Sequence, residues 1–472
     1  MDKITGITNF NNRYINFVYK DNRIFIYPDD KKSNIDFLLD HNYPIWLLRH
    51  SFGNDMGEED YSSFSEDIYL SDNRGKNLGL HQKSGVLRDL FYHGLKVPIK
   101  KSYYSHAVGP IHAGIIEPGH FRFVVDGEII RHLTIRLGFQ HRGIRNLIND
   151  QNPDRVLAIS ESISGDTSIG YALAFTKLYE EASKIVVSDT VQFFRNILLE
   201  IERIAVHIGD IGGIAEDIGY YPLHGVCLTD RGAALGLMET LTGSRFGKFA
   251  IRPGGVRLNQ KMTIEQIFAS FENLKKVFLQ RIKPQIIRAL ENTTVRERLQ
   301  GCGFISEADV GKYGFVGMVA RMAGVNHDLR RSDVFYPNLN GLKLLEEHHN
   351  FNGDVWARFY LRYKEIEQSI EWVSSIWEKI DWDELLSKEQ RERTFAKLNI
   401  KPGVYYSAIE AWRGSILICF EFNEMGYVKN SYIRDPSVLN WFALELAVRK
   451  ELISDFPLNN KSFNLSYAGF DL

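Results

Sequence analysis

The sequence predicts an α+β fold: a small N-terminal α/β unit, followed by a mainly helical domain that begins at a β-hairpin. Residues 13–28 alternate apolar and polar side chains on either side of Asp21-Asn22, which is typical of a hairpin. Phe121–Leu137 shows the same pattern around Asp126-Gly127. After residue 137 helical spacing dominates. These three observations set the fold class.

The order of these segments predicts two domains. A second apolar run, Pro44–Leu48, precedes an acidic, glycine-containing stretch, Gly53–Asp72, which is typical of a solvated loop. We therefore expect an N-terminal α/β domain over residues 1–75, a connector over 76–105 and the helical domain over 106–472.

Helix signals divide the second domain. Ser188-Asp189-Thr190 offers an N-cap for a helix of about 20 residues that should end at Gly212-Gly213. Further helices are predicted from Thr229-Asp230 to Gly243, from the capping box of Thr263 and Gln266 with a kink at Pro284, and from Asp354 to Ile380 with one apolar face.

Composition excludes several classes of function. Fifty-seven basic and 59 acidic residues give a net charge of −2, so we expect no nucleic-acid partner. No run of about 18 apolar residues predicts a membrane span, and Met1–Asn11 has no secretory signal, so we expect a cytosolic protein unless a partner tethers it. Cys227, Cys302 and Cys419 are too far apart in sequence for a disulfide framework or a cysteine-bound metal site.

A stripe of ionisable residues follows the helix from Ser188. Glu200, Arg203, His207 and Asp210 recur every three or four residues, so they share one face. Such a stripe can be a solvated helix surface, or it can turn towards a cavity where a histidine titrates beside a redox group. The pattern alone leaves both interpretations open.

Three short loops carry further candidates. Glu117 lies between proline- and glycine-containing turns, where it can be simply exposed or part of a site. Arg413 follows Glu410 in a turn that could hold a surface ion pair, and Asp435-Pro436 could be a helix N-cap with proline in the first turn.

Taken together and in order, these motifs resemble the large subunit of group 4 nickel–iron hydrogenases, and equally the 49-kDa-type subunit of respiratory complex I. The motifs are Gly109-Pro-Ile-His112, Glu117-Pro-Gly-His-Phe-Arg122, Asp126-Gly-Glu128, Gly138-Phe-Gln-His-Arg-Gly143, Leu199-Glu-Ile-Glu-Arg-Ile-Ala-Val-His207, Thr242-Gly243, Gly254-Gly-Val256, Ala323-Gly-Val325, Gly353-Asp-Val355, Glu410-Ala-Trp-Arg-Gly414 and Asp435-Pro436. The first 75 residues also resemble the complex I 30-kDa-type subunit, which is fused ahead of the large subunit in formate-hydrogenlyase-type hydrogenases.

The resemblance implies that this chain has no nickel–iron centre. In the hydrogenases, two Cys-x-x-Cys pairs hold the metals, because soft thiolates retain nickel. The first pair corresponds here to Ser160 and Ile163, and the second to Ser437 and Asn440. We therefore expect no metal on this chain.

The resemblance also implies roles for six other residues. Glu117 matches the proton-transfer glutamate of hydrogenases, and His207 matches a histidine near the terminal iron–sulfur cluster of complex I. Arg413 matches the arginine over the hydrogenase active site, and Asp435 matches an acid at the cavity. Glu161 stands where complex I has a quinone-binding tyrosine. His112, in the loop before Glu117, is a second candidate for binding the quinone headgroup.

The implied function is that of a subunit in a complex I-like, hydrogenase-related membrane oxidoreductase. Its partners would be a small iron–sulfur subunit, a ferredoxin-like subunit and membrane ion-translocating subunits, at the cytoplasmic face of the inner membrane. The iron–sulfur clusters would belong to those partners. A quinone-reducing subunit of an NADH dehydrogenase-like complex and a redox-inert structural coupling subunit are the alternatives. No Gly-x-Gly-x-x-Gly turn follows a strand, so NADH should bind another subunit.

One expectation concerns geometry. Glu117, Glu161, His207, Arg413 and Asp435 are far apart in sequence but should converge on one pocket. Burial should then raise the proton affinity of one acid, while another stays ionised against Arg413. Such a group could carry protons, or it could be a static ion-pair network.

Overall fold

The computed structural model describes five N-terminal strands within residues 3–81, and then residues 102–111, 117–325, 327–336, 353–387 and 398–472. His112 and the apolar run Pro44–Leu48 lie outside the described residues.

The N-terminal strands form two small antiparallel sheets. The hairpin predicted over residues 13–28 is confirmed by the pairing of β2 with β3. In one sheet the order is β1-β2-β3, and in the other β4 pairs with β5. The predicted domain limit at residue 75 therefore falls between two paired strands. The strands are β1 (Lys3–Phe10), β2 (Arg13–Lys20), β3 (Arg23–Pro28), β4 (Ile68–Ser71) and β5 (Asn77–His81).

A three-stranded sheet leads into the helical part. Its strands are β6 (Tyr104–Val108), β7 (His120–Asp126) and β8 (Ile129–Arg136). Strands β7 and β8 confirm the second predicted hairpin. Strand β6 pairs with β7, so the sheet begins two residues before the predicted start of the domain at residue 106.

Helices make up most of the chain beyond this sheet, as predicted. They are α1 (Ile144–Ile148), α2 (Pro153–Ser160), α3 (Ser168–Ser183), α4 (Asp189–Asp217), α5 (Tyr221–Thr242), α6 (Ile264–Val277), α7 (Lys283–Glu291), α8 (Thr293–Leu299), α9 (Glu307–Tyr313), α10 (Gly317–Met322), α11 (Val355–Trp377), α12 (Trp382–Leu386), α13 (Pro436–Ala447), α14 (Phe456–Phe463) and α15 (Tyr467–Phe470).

The central helix α4 is longer than predicted. It begins after the Ser188 N-cap as expected, but it has 29 residues and continues through Gly212-Gly213. A Cβ atom on Gly212 would lie 2.8 Å from the Cβ of Cys227 in α5. The glycine therefore permits close helix packing, and the predicted helix end at this position is wrong.

The next helix also starts earlier than predicted. Helix α5 begins at Tyr221 with Pro222 in its first turn, not at Thr229-Asp230. It ends at Gly243, whose φ of 78° suits a left-handed C-cap, as predicted.

Two further predictions hold. The capping box of Thr263 and Gln266 starts α6, and a π-helical turn, Phe278–Ile282, stands before Pro284, where the kink was predicted. Asp354 caps α11, the long helix predicted from that residue.

One sheet in the second half was not predicted. Strands β11 (Gly403–Glu410), β12 (Ser415–Phe422) and β13 (Val428–Arg434) form it, after a short ribbon of β9 (Ile251–Arg252) and β10 (Gly255–Val256). Most of β12 is buried on both faces, so its apolar run shows no alternation that would reveal a strand. Phe420 packs on Phe175 of α3, which fixes this sheet beside the central helices.

Helix α4 is the axis of the large domain. It packs against α3, α5, α11 and α14, and most of its residues are buried. Within the described part of the chain, no helix has the length and apolar content needed to cross a bilayer.

Candidate functional site

The first pair of expected metal-ligand positions is occupied by residues with other partners. Ser160 donates its hydroxyl to the carbonyl of Leu157 over 2.7 Å. Ile163 is fully buried, and its carbonyl accepts from Arg142 over 2.6 Å. Neither side chain presents a group that could bind nickel.

The second pair of expected metal-ligand positions is likewise occupied by residues that have other partners. The hydroxyl of Ser437 accepts the amide N–H of Ser466 over 2.9 Å. Asn440 accepts from the amide of Val316 at 3.0 Å and donates to its carbonyl at 3.1 Å. The four residues do not fit a nickel–iron centre, because they are apolar or engaged in hydrogen bonds. Across the described ranges, no three His, Cys, Asp or Glu side chains group in a way that could hold a metal ion.

Arg413 is anchored beside this closed site by Asp166. Its two terminal nitrogens donate to the two carboxylate oxygens over 2.7 and 2.6 Å, and its Nε donates to the carbonyl of Asn464. Burial raises the pKa of Asp166, but the charge and hydrogen bonds of Arg413 outweigh it, so the pKa lies below its ordinary value. Arg413 is therefore buried in an ion pair, and the surface-pair interpretation is wrong.

Asp435 lies across from Arg413, beyond a group of side-chain hydroxyls of Ser164, Ser437 and Ser466 that we call the hydroxyl cluster. It caps α13 by accepting the amide of Ser437 at 2.7 Å, as the sequence predicted, and it accepts the hydroxyl of Tyr171 at 2.6 Å. Ser164 links the two sides, because its hydroxyl lies 3.3 Å from Arg413 and 3.2 Å from the hydroxyl of Ser466.

Glu117 reaches this region through the C-terminal segment. Its Oε2 accepts the amide of Ala468 at 3.4 Å, and the carboxyl is half-buried. The next residue, Gly469, is so close to Asp435 that a Cβ there would lie 2.5 Å from Oδ2. Glu117 and Asp435 thus contact adjacent residues of one segment.

His207 is fully buried, and its Nε2 lies 2.7 Å from Glu365 of α11. Burial lowers its pKa, and the neighbouring carboxylate only partly offsets this effect. Its ring meets Trp412 edge to face, with centroids 6.1 Å apart, so one side chain separates His207 from Arg413.

Glu365 is the centre of a buried charge cluster that the sequence did not predict. Arg321 donates to Glu365 over 2.8 Å and to Glu410 over 2.7 Å. Burial raises the pKa of Glu365, but Arg321 and His207 outweigh it and hold it well below its ordinary value. Burial instead raises the pKa of Glu410 to about 7, despite Arg321.

The cluster extends along α4. Glu200 accepts from Arg203 and from Arg330, each at 3.1 Å, and Arg330 also binds Asp328. The predicted stripe on α4 is therefore buried, and its interpretation as a solvated face is wrong.

Asp210 connects helix α11 with the Arg413 site. It accepts from Arg362 over 2.8 Å and from the side chain of Asn464 over 2.6 Å, and the carbonyl of Asn464 binds Arg413. A continuous line of hydrogen bonds therefore connects the α4–α11 interface with the Arg413 site.

Glu161 lies at the other end of the loop that carries Asp166. Its Oε1 accepts the amide of Phe249 at 2.8 Å, and its backbone carbonyl accepts the hydroxyl of Ser168. Burial raises its pKa to about 7. Its Oε2 is buried and has no hydrogen-bond partner among the described residues.

The structure thus brings four of the predicted residues into one region. Arg413 and Asp435 both contact the hydroxyl cluster. Glu117 contacts the C-terminal segment beside Asp435, and Trp412 lies between His207 and Arg413. The Glu161 side chain does not contact these four residues, and Glu161 is linked to them only through the backbone of the α2–α3 loop that also carries Asp166.

Asp166 and Glu365, the main partners of Arg413 and His207, were not predicted from the sequence. A signal for Glu365 existed, because Arg358, Arg362 and Glu365 repeat at helical spacing on α11 as the stripe does on α4. Asp166 lies three residues after a former ligand position, but no spacing rule marks it.

Similar proteins carry names from both branches of the implied family. The carbon monoxide-induced hydrogenase of Rhodospirillum rubrum is 27% identical over 361 residues, 76% of this chain and 96% of that protein. A subunit of the NADH-quinone oxidoreductase of Thermosipho melanesiensis is 30% identical over 308 residues, 65% of this chain and 82% of that protein. The alpha subunit of the membrane-bound hydrogenase of Pyrococcus furiosus is 27% identical over 304 residues, 62% and 67% of the respective chains.

A solved structure shares the fold. One chain of the membrane-bound sulfane sulfur reductase, an archaeal respiratory membrane complex, aligns with a TM-score of 0.69 and 23% identity over 79% of this chain and 100% of that one. Residues 217–471, more than half of the chain, match the family model for the 49-kDa subunit of respiratory-chain NADH dehydrogenase. The chain therefore belongs to the family of the 49-kDa subunit of respiratory-chain NADH dehydrogenase, which includes the large subunits of membrane-bound hydrogenases.

Proposed function

We propose that this chain is the large subunit of a complex I-like, hydrogenase-related membrane oxidoreductase, in which it couples electron transfer to proton movement without a nickel–iron centre. The observation that carries the proposal is a combination of two features. The four expected metal-ligand positions hold residues that cannot bind nickel, and a buried network of ionisable residues surrounds Arg413. The four positions that match the metal-binding cysteines of the hydrogenases carry no metal ligand here, but the surrounding region is rich in ionisable groups.

The buried cluster has the composition needed to hold a proton near neutral pH. Three arginines, Arg203, Arg321 and Arg330, are matched by three carboxylates, Glu200, Asp328 and Glu365. Two further groups, Glu410 and His207, contact this matched set, and a proton gained or lost on either would change its net charge by one. Because the pKa of Glu410 is about 7 and that of His207 is lowered, Glu410 gains a proton before His207 as the pH falls.

An electron that arrives nearby would change this balance. Added negative charge raises the proton affinity of acids within a few ångströms, and low dielectric strengthens the effect. Iron–sulfur clusters on a small subunit and a ferredoxin-like subunit would supply the electron. Glu117 and Asp435 would then pass the proton between the network and the ion-translocating membrane subunits.

Peripheral attachment at the cytoplasmic face of the inner membrane accords with this proposal. Apolar side chains that would suit a partner surface are exposed at Phe246, Phe249, Leu228 and Tyr221. Strands β1 to β4 would belong to a domain like the complex I 30-kDa-type subunit, over about residues 1–75, and β5, which pairs with β4, lies just beyond that limit.

Purification of the assembled complex tests the proposal. A tag on this chain should retrieve membrane subunits together with iron, and nickel should stay at background. Retrieval of an assembly that lacks iron would favour the redox-inert structural subunit, and stoichiometric nickel would overturn the proposal.

Reduction of a quinone is a second candidate function, favoured by the unpartnered Oε2 of Glu161. When protonated, this carboxyl could donate a hydrogen bond to a quinone carbonyl. His112 would be the second polar contact. Quinone in the purified complex at one per chain, lost in the E161A variant but retained in the matched surface variant E128A, would support this candidate.

A further inference from the structure

A narrow cleft opens beside the loop that joins α2 to α3. It lies between this loop, helix α4 and helix α5. Exposed side chains form its outer rim, and buried side chains form its inner wall. Its polar and rim residues include Asp166, Ser168, Glu202, Arg231, Arg245 and Phe246.

Glu202 is the carboxyl on the inner wall, and it holds the first turn of α3. Its two oxygens accept the amide of Ile169 at 2.7 Å and the amide of Gly170 at 3.1 Å. Only 7% of the residue is exposed. Helix N-terminal amides stabilise a carboxylate, but burial opposes this effect and raises the pKa of Glu202 to about 8.

Among the described residues, Glu202 forms no ion pair, although charged groups surround it. Asp166 faces it across the cleft and raises its pKa, whereas Arg203 on its own helix lowers it. Arg203 is engaged with Glu200 and with a backbone carbonyl. Arg231 and Arg245 line the cleft, and neither donates a hydrogen bond to Glu202 in the described part of the chain.

The turn that Glu202 holds continues directly into the Arg413 site. Asp166 precedes α3 by two residues, and it binds Arg413. Trp412 donates its indole N–H to the carbonyl of Asp166 and to the hydroxyl of Thr167. A change in the two amide bonds of Glu202 therefore acts on the segment that positions both Trp412 and Arg413.

We propose that Glu202 is a proton-loading carboxyl, which takes protons from water in the cleft and so controls how firmly the first turn of α3 is held. A hydronium ion gives up its proton, an O–H bond forms at one carboxylate oxygen, and that oxygen stops accepting its amide. The inference rests on the proposed proton-coupling function, to which it adds the point where protons enter the chain.

Carbodiimide labelling of the purified full-length chain tests this inference. Dicyclohexylcarbodiimide is apolar and reacts with protonated carboxyls, and mass spectrometry locates the adduct. We expect labelling of Glu202 to rise as the pH falls through about 8. Above that pH the label should fall about tenfold per unit. Glu180 is the matched control, because it is equally buried but both its oxygens bind Arg195, so it should stay unlabelled.

Hydrogen exchange gives a second readout. In the E202Q variant one side-chain oxygen can still accept an amide, so peptides that cover the start of α3 should exchange faster than in the wild type, and the E128Q variant, on the exposed β7–β8 turn, should not change them. Absent or pH-independent labelling of Glu202, or unchanged exchange in a folded E202Q chain, would overturn the inference. Both measurements use the chain alone, so they can succeed even if the purified complex lacks membrane partners and the proposed function fails.

Discussion

Arg413 and Asp166 form a two-point ion pair, with both terminal nitrogens of the guanidinium within 2.7 Å of the carboxylate oxygens. The two residues are 247 positions apart in sequence, so the pair joins the end of the β11–β12 hairpin to the loop before α3. The resemblance to hydrogenase large subunits implies that the corresponding arginine there lies over a metal centre. Here its direct partner is an acid of the chain itself.

The D166N variant should destabilise the fold strongly. It removes the charge that pairs with the buried guanidinium of Arg413, and because one third of the Asp166 side chain is exposed we expect a cost of about 1 to 3 kcal/mol. Urea denaturation of the purified chain measures the loss. The matched control is D126N, because Asp126 pairs with Arg131, whose side chain is one third exposed whereas that of Arg413 is buried, and its loss should stay under about 1 kcal/mol. Equal losses in both variants would contradict the assigned role.

His207 should make stability depend on acidity. Its folded-state pKa is lowered below 6.5, so the unfolded chain binds the proton first, and the stability contributed by neutral His207 is lost as the pH falls below 6.5. The free energy of unfolding of wild type minus H207Q should be constant above that pH and decrease below it. A difference that does not vary with pH would show that His207 is not buried as a neutral ring.

Glu161 should have the opposite dependence. Its pKa rises from 4.5 to about 7 on folding, so the native state holds the proton more tightly, and stability falls as the pH rises from 4.5 to 7. The E161Q variant lacks this component, so it should gain roughly 3 kcal/mol relative to wild type between those limits. Urea denaturation across the range checks this, with E128Q on the exposed hairpin turn as the control. A flat difference would rule out the burial effect.

Asn440 should have become a structural residue. It exchanges two hydrogen bonds with the backbone of Val316, so the N440A variant leaves a buried amide and carbonyl unpaired and should cost about 2 to 4 kcal/mol. Replacing Asn259, near the surface, should cost less than about 1 kcal/mol. If N440A left the free energy of unfolding unchanged, Asn440 would not hold Val316 in place, and this position would still be available to bind another group.

The sequence predicted the regular elements better than the polar contacts. Helix caps such as Ser188, Thr263 and Asp354 are local, so spacing rules found them. The predicted α4 ended too early, at Gly212-Gly213. Gly212 is there to allow close packing against Cys227, and such a tertiary contact cannot be read from local sequence. Strand β12 was missed because it is buried on both faces and lacks alternation. Resemblance located Arg413 and His207, but their partners Asp166 and Glu365 depend on how distant segments meet, which spacing does not encode.

The central claim is that protons pass through the carboxylates around Arg413. Its most direct test is the ratio of protons moved to electrons transferred by the assembled complex in sealed vesicles. We expect E117Q to keep electron transfer and lose most of the proton movement, because glutamine cannot release a proton at the same position. E128Q, on the exposed turn of the β7–β8 hairpin, should keep the wild-type ratio. An E117Q complex with the wild-type ratio of protons to electrons would contradict the account.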